Sequence, residues 1–360
     1  EQTPETSYRL WGFSFIILNM SVLYRKYRPK SFDDVIGQEP IVNVLKNEIK
    51  LGTLAHAYLF AGSRGTGKTS VARIFASEVG TSKSDIYEID AASNNGVDEI
   101  RALNDAVHTL PFDSKYKVYI LDEAHMLSKG AWNAFLKTLE EPPAHVIFIL
   151  ATTELNKVPE TVQSRCQSFV FKRPSQKILR EFSQKIARDE GRTLDDDSAE
   201  LVALLGDGSF RDTHGILEKV FSSTKEKKIE RQEVEMVTGA PRSELMRSVL
   251  EALINEDLEQ GMKAIAEARE NNVEAKVFAK LILERLRYLF LIRLKAGMED
   301  YISSETSDDE FEFLKTLASK PAKHLTSEVL LRFIEASEQS GRSSIPELPL
   351  EIALVESIKE

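Results

Sequence analysis

"AYLFAGSRGTGKT", residues 57–69, is a short apolar run that breaks into glycines and ends on a lysine and a threonine. The run reads as a buried strand, and the segment that follows, "KTSVARIFASEV", reads as a helix. Between them "GSRGTGKT" (62–69) matches G-x-x-x-x-G-K-[ST] in full, at the strand-to-helix position where that motif works. Glycines let the backbone wrap closely round phosphate oxygens, and the N–H groups of the loop and helix start point at them. Gly62, Ser63, Arg64, Gly65, Thr66, Gly67 and Ser70 are therefore expected to form a phosphate cradle. Lys68 would neutralise the β- and γ-phosphates of ATP, and the Thr69 hydroxyl would ligate Mg2+. The bland alternative is a glycine-rich turn with an incidental lysine, which the strand–loop–helix context disfavours.

Further along the chain, "IYEIDA" (86–91), "KVYILD" (117–122) and "VIFILATT" (146–153) are also near-continuous apolar runs bounded by turn signals. Strands read this way when a parallel sheet is covered by helices on both faces. "KGAWNAFLKTLEE" is a helical segment stopped by Pro142 and Pro143. Residues 24–172 are thus an α/β domain. Beyond Pro174 strand signals largely vanish: 175–240 predicts three or four helices, broken by "DEGRTLDDDS", "GDGSFRD" and "SSTKEKK". The region 243–360 is also helical. Its most apolar stretch, "AKVFAKLILERLRYLFLIRLKAG", carries Glu284, Arg285, Arg287 and Arg293 and so reads as a core helix, not a membrane span. "YISSETSDDE" (301–310) reads as an acidic exposed loop. The expected division is 1–19 as an extension, 20–174 as the α/β domain, 175–242 as a helical lid and 243–360 as a helical collar.

The chain has 360 residues, room for two or three domains, and its 42% hydrophobic and 29% charged content is ordinary for a soluble globular protein. A net charge of −10 excludes a globally basic nucleic-acid binder, so any DNA contact would need a local basic surface. The single cysteine excludes a disulfide framework and a cysteine-rich zinc site, which fits a reducing cytoplasm. Residues 1–19, "EQTPETSYRLWGFSFIILN", have an apolar run too short to span a bilayer and an acidic start unlike a signal peptide. With Met20 directly after them, they read as an upstream extension without a part in the fold; a short amphipathic anchor is the alternative.

The second half of a nucleotide site is "VYILDEAH" (118–125). A buried strand ending in two acids puts Asp122 at the carboxyl edge of the sheet, beside the phosphate loop, to hold the Mg2+ shell. Glu123 would polarise the attacking water. Thr152 and Thr153 end another predicted strand, where a hydroxyl could sense the γ-phosphate or the water, or could simply cap a turn. In "QSRCQSFVFK" (163–172) Cys166 has no activating base in view and reads as a packing residue. From the residues alone, Arg165 beside it is either functional or part of a surface salt bridge.

These pieces together resemble the AAA+ ATPases, and more narrowly the clamp loaders. "LYRKYRPKSFDDVIGQE" (23–39) looks like the segment that wraps the adenine in that family. "YEIDAASNNGVDEIR" (87–101), "KYKVYILDEAHMLSKGAWNAFLKTLEEPP" (115–143) and "FILATTELNKVPETVQSRCQSFVF" (148–171) resemble the gamma/tau subunits of bacterial DNA polymerase III. The likeness runs from about residue 21 to 240 and more loosely beyond. It implies a base pocket at Tyr24, Arg25, Arg28, Pro29, Val35 and Ile36, a sensor at Thr153, and a second sensor at Arg211 in "GDGSFRDTHG". It also implies that Arg165, in the family's "SRC" motif, reaches into a neighbouring subunit's ATP site. The implied partners are copies of the chain itself, other clamp-loader subunits of the delta and delta-prime type, a sliding clamp and primer–template DNA, with no membrane. Asn94, Asn95, Arg101 and Lys129 are candidates for DNA-backbone contacts, and equally for caps or solvated surface.

One departure stands out. Gamma/tau subunits usually carry a four-cysteine zinc module after the phosphate-loop helix, whereas "SEVGTSKSDIYEID" (77–90) passes directly to the next strand, so no zinc site is expected. That leaves open a small subunit of the replication-factor type, which lacks the module. Two competing readings are a different AAA+ enzyme, such as a branch-migration motor, and a non-hydrolysing scaffold of the delta-prime kind. The intact phosphate loop and Asp122–Glu123 speak against the scaffold.

Overall fold

Three strands are apolar enough to be buried on both faces, and they form the centre of a parallel sheet. The computed structural model describes residues 23–294, 297–322 and 324–359; the extension expected at 1–19 lies outside them. The strands are β1 (Ala57–Ala61), β2 (Ile86–Asp90), β3 (Lys117–Asp122), β4 (Val146–Thr152) and β5 (Gln167–Val170). They are all parallel, in the order β2-β3-β4-β1-β5. Alternate residues of β1, β3 and β4 point to opposite faces. Leu59, Tyr119, Leu121, Phe148 and Leu150 pack on one side, and Tyr58, Phe60, Val118, Ile120 and Ile149 on the other.

The helices up to the sheet's last strand are α1 (Leu23–Lys26), α2 (Glu39–Leu51), α3 (Lys68–Glu78), α4 (Val97–Val107), α5 (Lys129–Glu140) and α6 (Glu160–Gln163). Ile100 and Leu103 of α4 and Trp132 and Phe135 of α5 cover the first face; Ile41 and Leu45 of α2 and Val71 and Phe75 of α3 cover the second. Helix α5 starts on Ser128, whose hydroxyl accepts from the Ala131 N–H, and ends just before Pro142 and Pro143.

The two edge strands differ from the sequence reading. In β2, Tyr87, Glu88 and Asp90 are exposed, so it is an edge strand and not one covered on both faces. Strand β5 has no apolar run at all: Ser168 and Val170 face solvent while Gln167 and Phe169 are half-buried. Edge strands bury one face at most, so the pattern that reveals a central strand is absent from them.

Helices α7 (Gln176–Asp189), α8 (Asp196–Gly206), α9 (Phe210–Ser223) and α10 (Arg231–Thr238) follow the sheet. The breaks between them are partly ordered, because Thr193–Leu194 pairs with Lys228–Ile229 as a small parallel ladder. The remainder consists of α11 (Ser243–Asn255), α12 (Leu258–Glu270), α13 (Ala275–Arg293), α14 (Glu299–Glu305), α15 (Asp308–Ser319), α16 (Ser327–Ser340) and α17 (Leu348–Lys359). They enclose one apolar core centred on Phe278, Ile282, Leu286, Leu289 and Phe333.

The acidic stretch 301–310 is not an exposed loop. It ends α14, turns on Ser307 as the N-cap of α15, and buries Glu305, Thr306, Ser307 and Glu310. Acids in the first turn suit the positive end of a helix, and the buried Arg285 of α13 accounts for Glu310 facing inward, with its Nε 3.1 Å from Glu310 Oε1. No helix among the described residues is long and apolar enough to cross a membrane.

Candidate nucleotide site

Strand β1 delivers the chain to the carboxyl edge of the sheet, where the glycine loop turns it into α3. Gly65 and Gly67 hold φ of 75° and 100°, a region that side chains enter only with strain. Gly65 is also a point of close approach, since a Cβ there would meet Ser209 Oγ at 2.0 Å. The Phe210 N–H donates to the Gly65 carbonyl at 3.1 Å, so the start of α9 rests on the loop. Thr66 is buried and its hydroxyl donates to the Ser63 carbonyl at 2.9 Å.

Lys68 is 6% exposed. Its ammonium donates to the Gly62 carbonyl at 2.8 Å and the Ser63 carbonyl at 2.9 Å. Burial lowers its pKa, and the nearby Glu123 and Asp122 act against that shift. A buried cation that lines a cavity and whose direct partners are neutral carbonyls is placed to meet an anion. Next to it the Thr69 hydroxyl donates to Asp122 Oδ2 at 2.8 Å, joining the loop to the end of β3.

Glu123 leaves β3 with φ 49° and ψ 43°, an unusual left-handed geometry for a non-glycine residue. Its N–H donates to Asp122 Oδ1 at 3.0 Å, and the Thr153 hydroxyl donates to its Oε2 at 3.2 Å. Thr152 faces the neighbouring His125, with Oγ1 3.2 Å from Nδ1. Both threonines at the end of β4 therefore hold the acidic turn.

A cavity of about 450 Å3 opens over these groups. At one end lie Arg64, Gly65, Thr66, Gly67, Lys68, Thr69, Ser70, Asp122, Glu123 and Arg211; at the other, Tyr24, Pro29, Val35 and Ile36. Arg28 spans the two, its Nε donating to Ser70 Oγ at 3.0 Å; burial lowers its pKa, as does the charge of Arg73. Arg25 is exposed and outside the cavity, donating to the Tyr24 hydroxyl at 3.1 Å. Gly62 and Ser63 contribute through the carbonyls that hold Lys68, and Thr153 through Glu123.

Several lining residues escaped the sequence reading. Tyr27, Phe182, Phe210 and His214 complete the apolar end, drawn from the segment before the sheet and from α7 and α9. His214 packs edge-on against Phe182 at 4.9 Å, and burial pushes its pKa down to about 4. Arg73 and Glu88 form an ion pair at the rim. Arg173 reaches the loop from outside the cavity, its Nε donating to Ser63 Oγ at 2.8 Å. Tyr27 falls in "LYRKYRPKSFDDVIGQE" and Phe210 and His214 in "GDGSFRDTHG", yet nothing in those segments singles them out; chain turns far apart in sequence bring them together.

Arg165 is not among the cavity's lining residues. Its Nη2 pairs with Glu140 Oε1 at 2.6 Å and its Nη1 donates to the Thr161 carbonyl at 2.7 Å. Within one chain it is thus a surface ion pair, as the bland alternative has it. Cys166 packs under the sheet, where burial pushes its thiol up to about 12, a value that suits packing and not nucleophilic attack. Asn94, Asn95, Arg101 and Lys129 are all exposed; Arg101 pairs with Asp98 at 3.2 Å, and Asn94 donates to the Asp90 carbonyl at 3.0 Å.

The donor set fits a magnesium–triphosphate group. Thr69 and Asp122 offer hard oxygen ligands of the kind Mg2+ takes, and Lys68, Arg64 and Arg211 offer positive charge on the same side of the cavity.

The family model described as DNA polymerase III, delta subunit, matches residues 37–96 and 80–175. DNA polymerase III subunit tau of Bacillus subtilis is 36% identical over 94% of this chain and 63% of its own length. DNA polymerase III subunit gamma of Buchnera aphidicola subsp. Schizaphis graminum is 34% identical over 77% of this chain and 81% of its own length. The chain spans 63% of the Bacillus relative but 39% of the gamma/tau subunit of Mycoplasma pneumoniae. Among solved structures, the RuvB Holliday junction branch migration motor of Thermotoga maritima superposes with a TM-score of 0.50 at 25% identity, covering 63% of this chain and 79% of that one. That is a likeness of fold.

Proposed function

The chain belongs to the gamma/tau family of DNA polymerase III subunits, and on that footing we propose that it is an ATP-hydrolysing motor subunit of a sliding-clamp loader. The observation that carries this reading is the buried Lys68, held only by carbonyl oxygens beside the Thr69–Asp122 pair at the mouth of a cavity with an apolar far end. The apolar end would take the adenine, between Val35, Ile36 and the aromatic groups around them.

Lys68 exchanges its carbonyl partners for β- and γ-phosphate oxygens, and Arg211 approaches the γ-phosphate from the lid. Thr69 and Asp122 would hold Mg2+, which when bound offsets phosphate charge. Glu123 takes up proton density from the attacking water, held at its working orientation by Thr153. Arg165 does not line its own cavity, which is consistent with service to an adjacent subunit; there its planar, always-charged fork would meet charge building on the γ-phosphate. Such an arrangement leaves one chain short of one positive group.

We assign residues 20–174 as the ATPase domain, 175–242 as the lid and 243–360 as the collar through which subunits associate. The partners would be copies of this chain, delta- and delta-prime-type subunits, a sliding clamp and primer–template DNA, in the cytoplasm. Asn94, Asn95, Arg101 and Lys129 are candidate phosphate contacts, which need no global positive charge. The test is ATP turnover by the assembled protein with clamp alone, primed DNA alone and both together. Stimulation by the pair beyond either alone is expected. Equal stimulation by branched duplex DNA without clamp would favour a branch-migration motor instead.

A further inference from the structure

The histidine of "VYILDEAH" has no part in the function described so far. His125 follows Glu123 in the turn at the end of β3, with its side chain only 7% exposed. Its Nδ1 lies 3.5 Å from Glu123 Oε2 and 3.2 Å from Thr152 Oγ1. Its Nε2 lies 3.4 Å from Glu154 Oε1. Glu154 is itself fixed, taking the Lys157 ammonium at 2.9 Å and donating its N–H to Thr152 Oγ1 at 3.0 Å. The ring is therefore wedged between the ends of β3 and β4, its two nitrogens facing two carboxylates, and it does not line the cavity.

Glu123 needs such a support. Its backbone is in the left-handed region, where a non-glycine residue persists only if the surroundings over-determine it. Two side chains make close polar contact with its carboxylate: the Thr153 hydroxyl and the His125 ring. Thr153 fixes Oε2 through one bond, which leaves the carboxylate free to swing about it; the imidazole meets the same oxygen from a second side and limits that swing.

We propose that His125 is a positioning residue for Glu123, setting where the water-activating carboxylate stands relative to the Thr69–Asp122 pair. This rests on the ATPase reading of Glu123 given above. The experiment compares His125→Phe, which keeps a ring without polar nitrogens, with His125→Gln, which keeps a neutral donor; His125→Leu replaces the phenylalanine variant should that ring not fit. Nucleotide Kd, turnover of the assembled full chain and melting temperature are read for each.

The apolar variant should turn over ATP about tenfold to 10²-fold more slowly, the scale of a small misplacement of a catalytic group. Its nucleotide Kd should be unchanged, and His125→Gln should recover most of the rate. Placed on Glu123→Gln, the apolar substitution should have no further effect, because the group it positions is gone. Wild-type turnover in the apolar variant would overturn the proposal. So would a Kd weakened by the same factor as the rate, a glutamine variant no better than the apolar one, or a full additional loss on Glu123→Gln. Absence of nucleotide binding by the wild-type chain would instead overturn the ATPase reading, and this proposal with it.

Discussion

Among the buried cations of the described residues, Lys68 and Arg285 are accommodated in opposite ways. Lys68, 6% exposed, makes its direct contacts with the carbonyls of Gly62 and Ser63. Arg285, 1% exposed, is met by Glu200 of α8 at 2.7 Å and Glu310 of α15 at 3.1 Å. Glu310 in turn takes Arg247 at 2.9 Å, and the second oxygen of Glu200 accepts the Ser307 N–H at 2.6 Å. Burial works against the charge of Arg285, yet Glu200, Glu310 and Glu284 hold its pKa above the usual arginine value; burial wins at Lys68, whose pKa falls.

The difference separates structure from function. Around Arg285 the protein supplies its own counter-charges, and the cluster joins α8 to α13 and α15. Around Lys68 the nearest carboxylates are engaged elsewhere, Asp122 with Thr69 and Glu123 with Thr153; unlike the buried Lys117, which also has neutral partners, Lys68 lines the cavity, where negative charge from outside can reach it.

Lys68 gives the most severe test of this contrast. Lys68→Ala should abolish ATP binding, measured by titration with a fluorescent nucleotide, while the melting temperature stays near the wild-type value. Normal binding would mean that the lysine is structural, like Arg285. Arg165→Ala separates a pocket's own charge from a donated one. Turnover by the assembled protein should fall on the order of 10³-fold, with nucleotide Kd in dilute single chains nearly unchanged. An equal loss in the dilute chain would remove the cross-subunit role.

Arg285→Ala tests the other side. It strands Glu200 and Glu310 without their buried partner and should cost about 3–5 kcal/mol of stability, read from denaturant unfolding. Arg285→Met, combined with neutral replacements of both acids, should recover much of that loss. A small effect of the alanine change would show that water reaches the cluster.

A weaker response is the pH dependence at His214, in the lining of the cavity. Its folded pKa is about 4, below the ordinary value near 6.5. From pH 6.5 down to 4 the unfolded ring binds a proton and the folded ring does not, so stability falls with falling pH in that window. The full span is on the order of 3 kcal/mol. His214→Phe should flatten that slope, and an unchanged slope would place the titration elsewhere.

Much of the candidate nucleotide site was legible in the chain because its groups come in short local motifs. "GSRGTGKT" and "VYILDEAH" each place their side chains through one strand and one turn, so Lys68, Thr69, Asp122 and Glu123 meet where the spacing predicts. The three central strands β1, β3 and β4 announced themselves by continuous apolar character. The edge strand β5 did not, since half its residues face water. Residues 301–310 misled for the converse reason: "SDDE" has the composition of a solvated loop, and only the cation behind it makes Glu310 an inward-facing group.

Local pattern was enough to dictate the parallel sheet, the phosphate loop and the acid pair, because strand burial and loop geometry are set by neighbours a few residues apart. Long-range packing was needed to assemble the aromatic end of the cavity from Tyr27, Phe182, Phe210 and His214, to fix where Arg165 rests, and to set His125 between Glu123 and Glu154. Those arrangements join segments far apart in the chain, and their energies depend on distances and dielectric surroundings that no local pattern encodes.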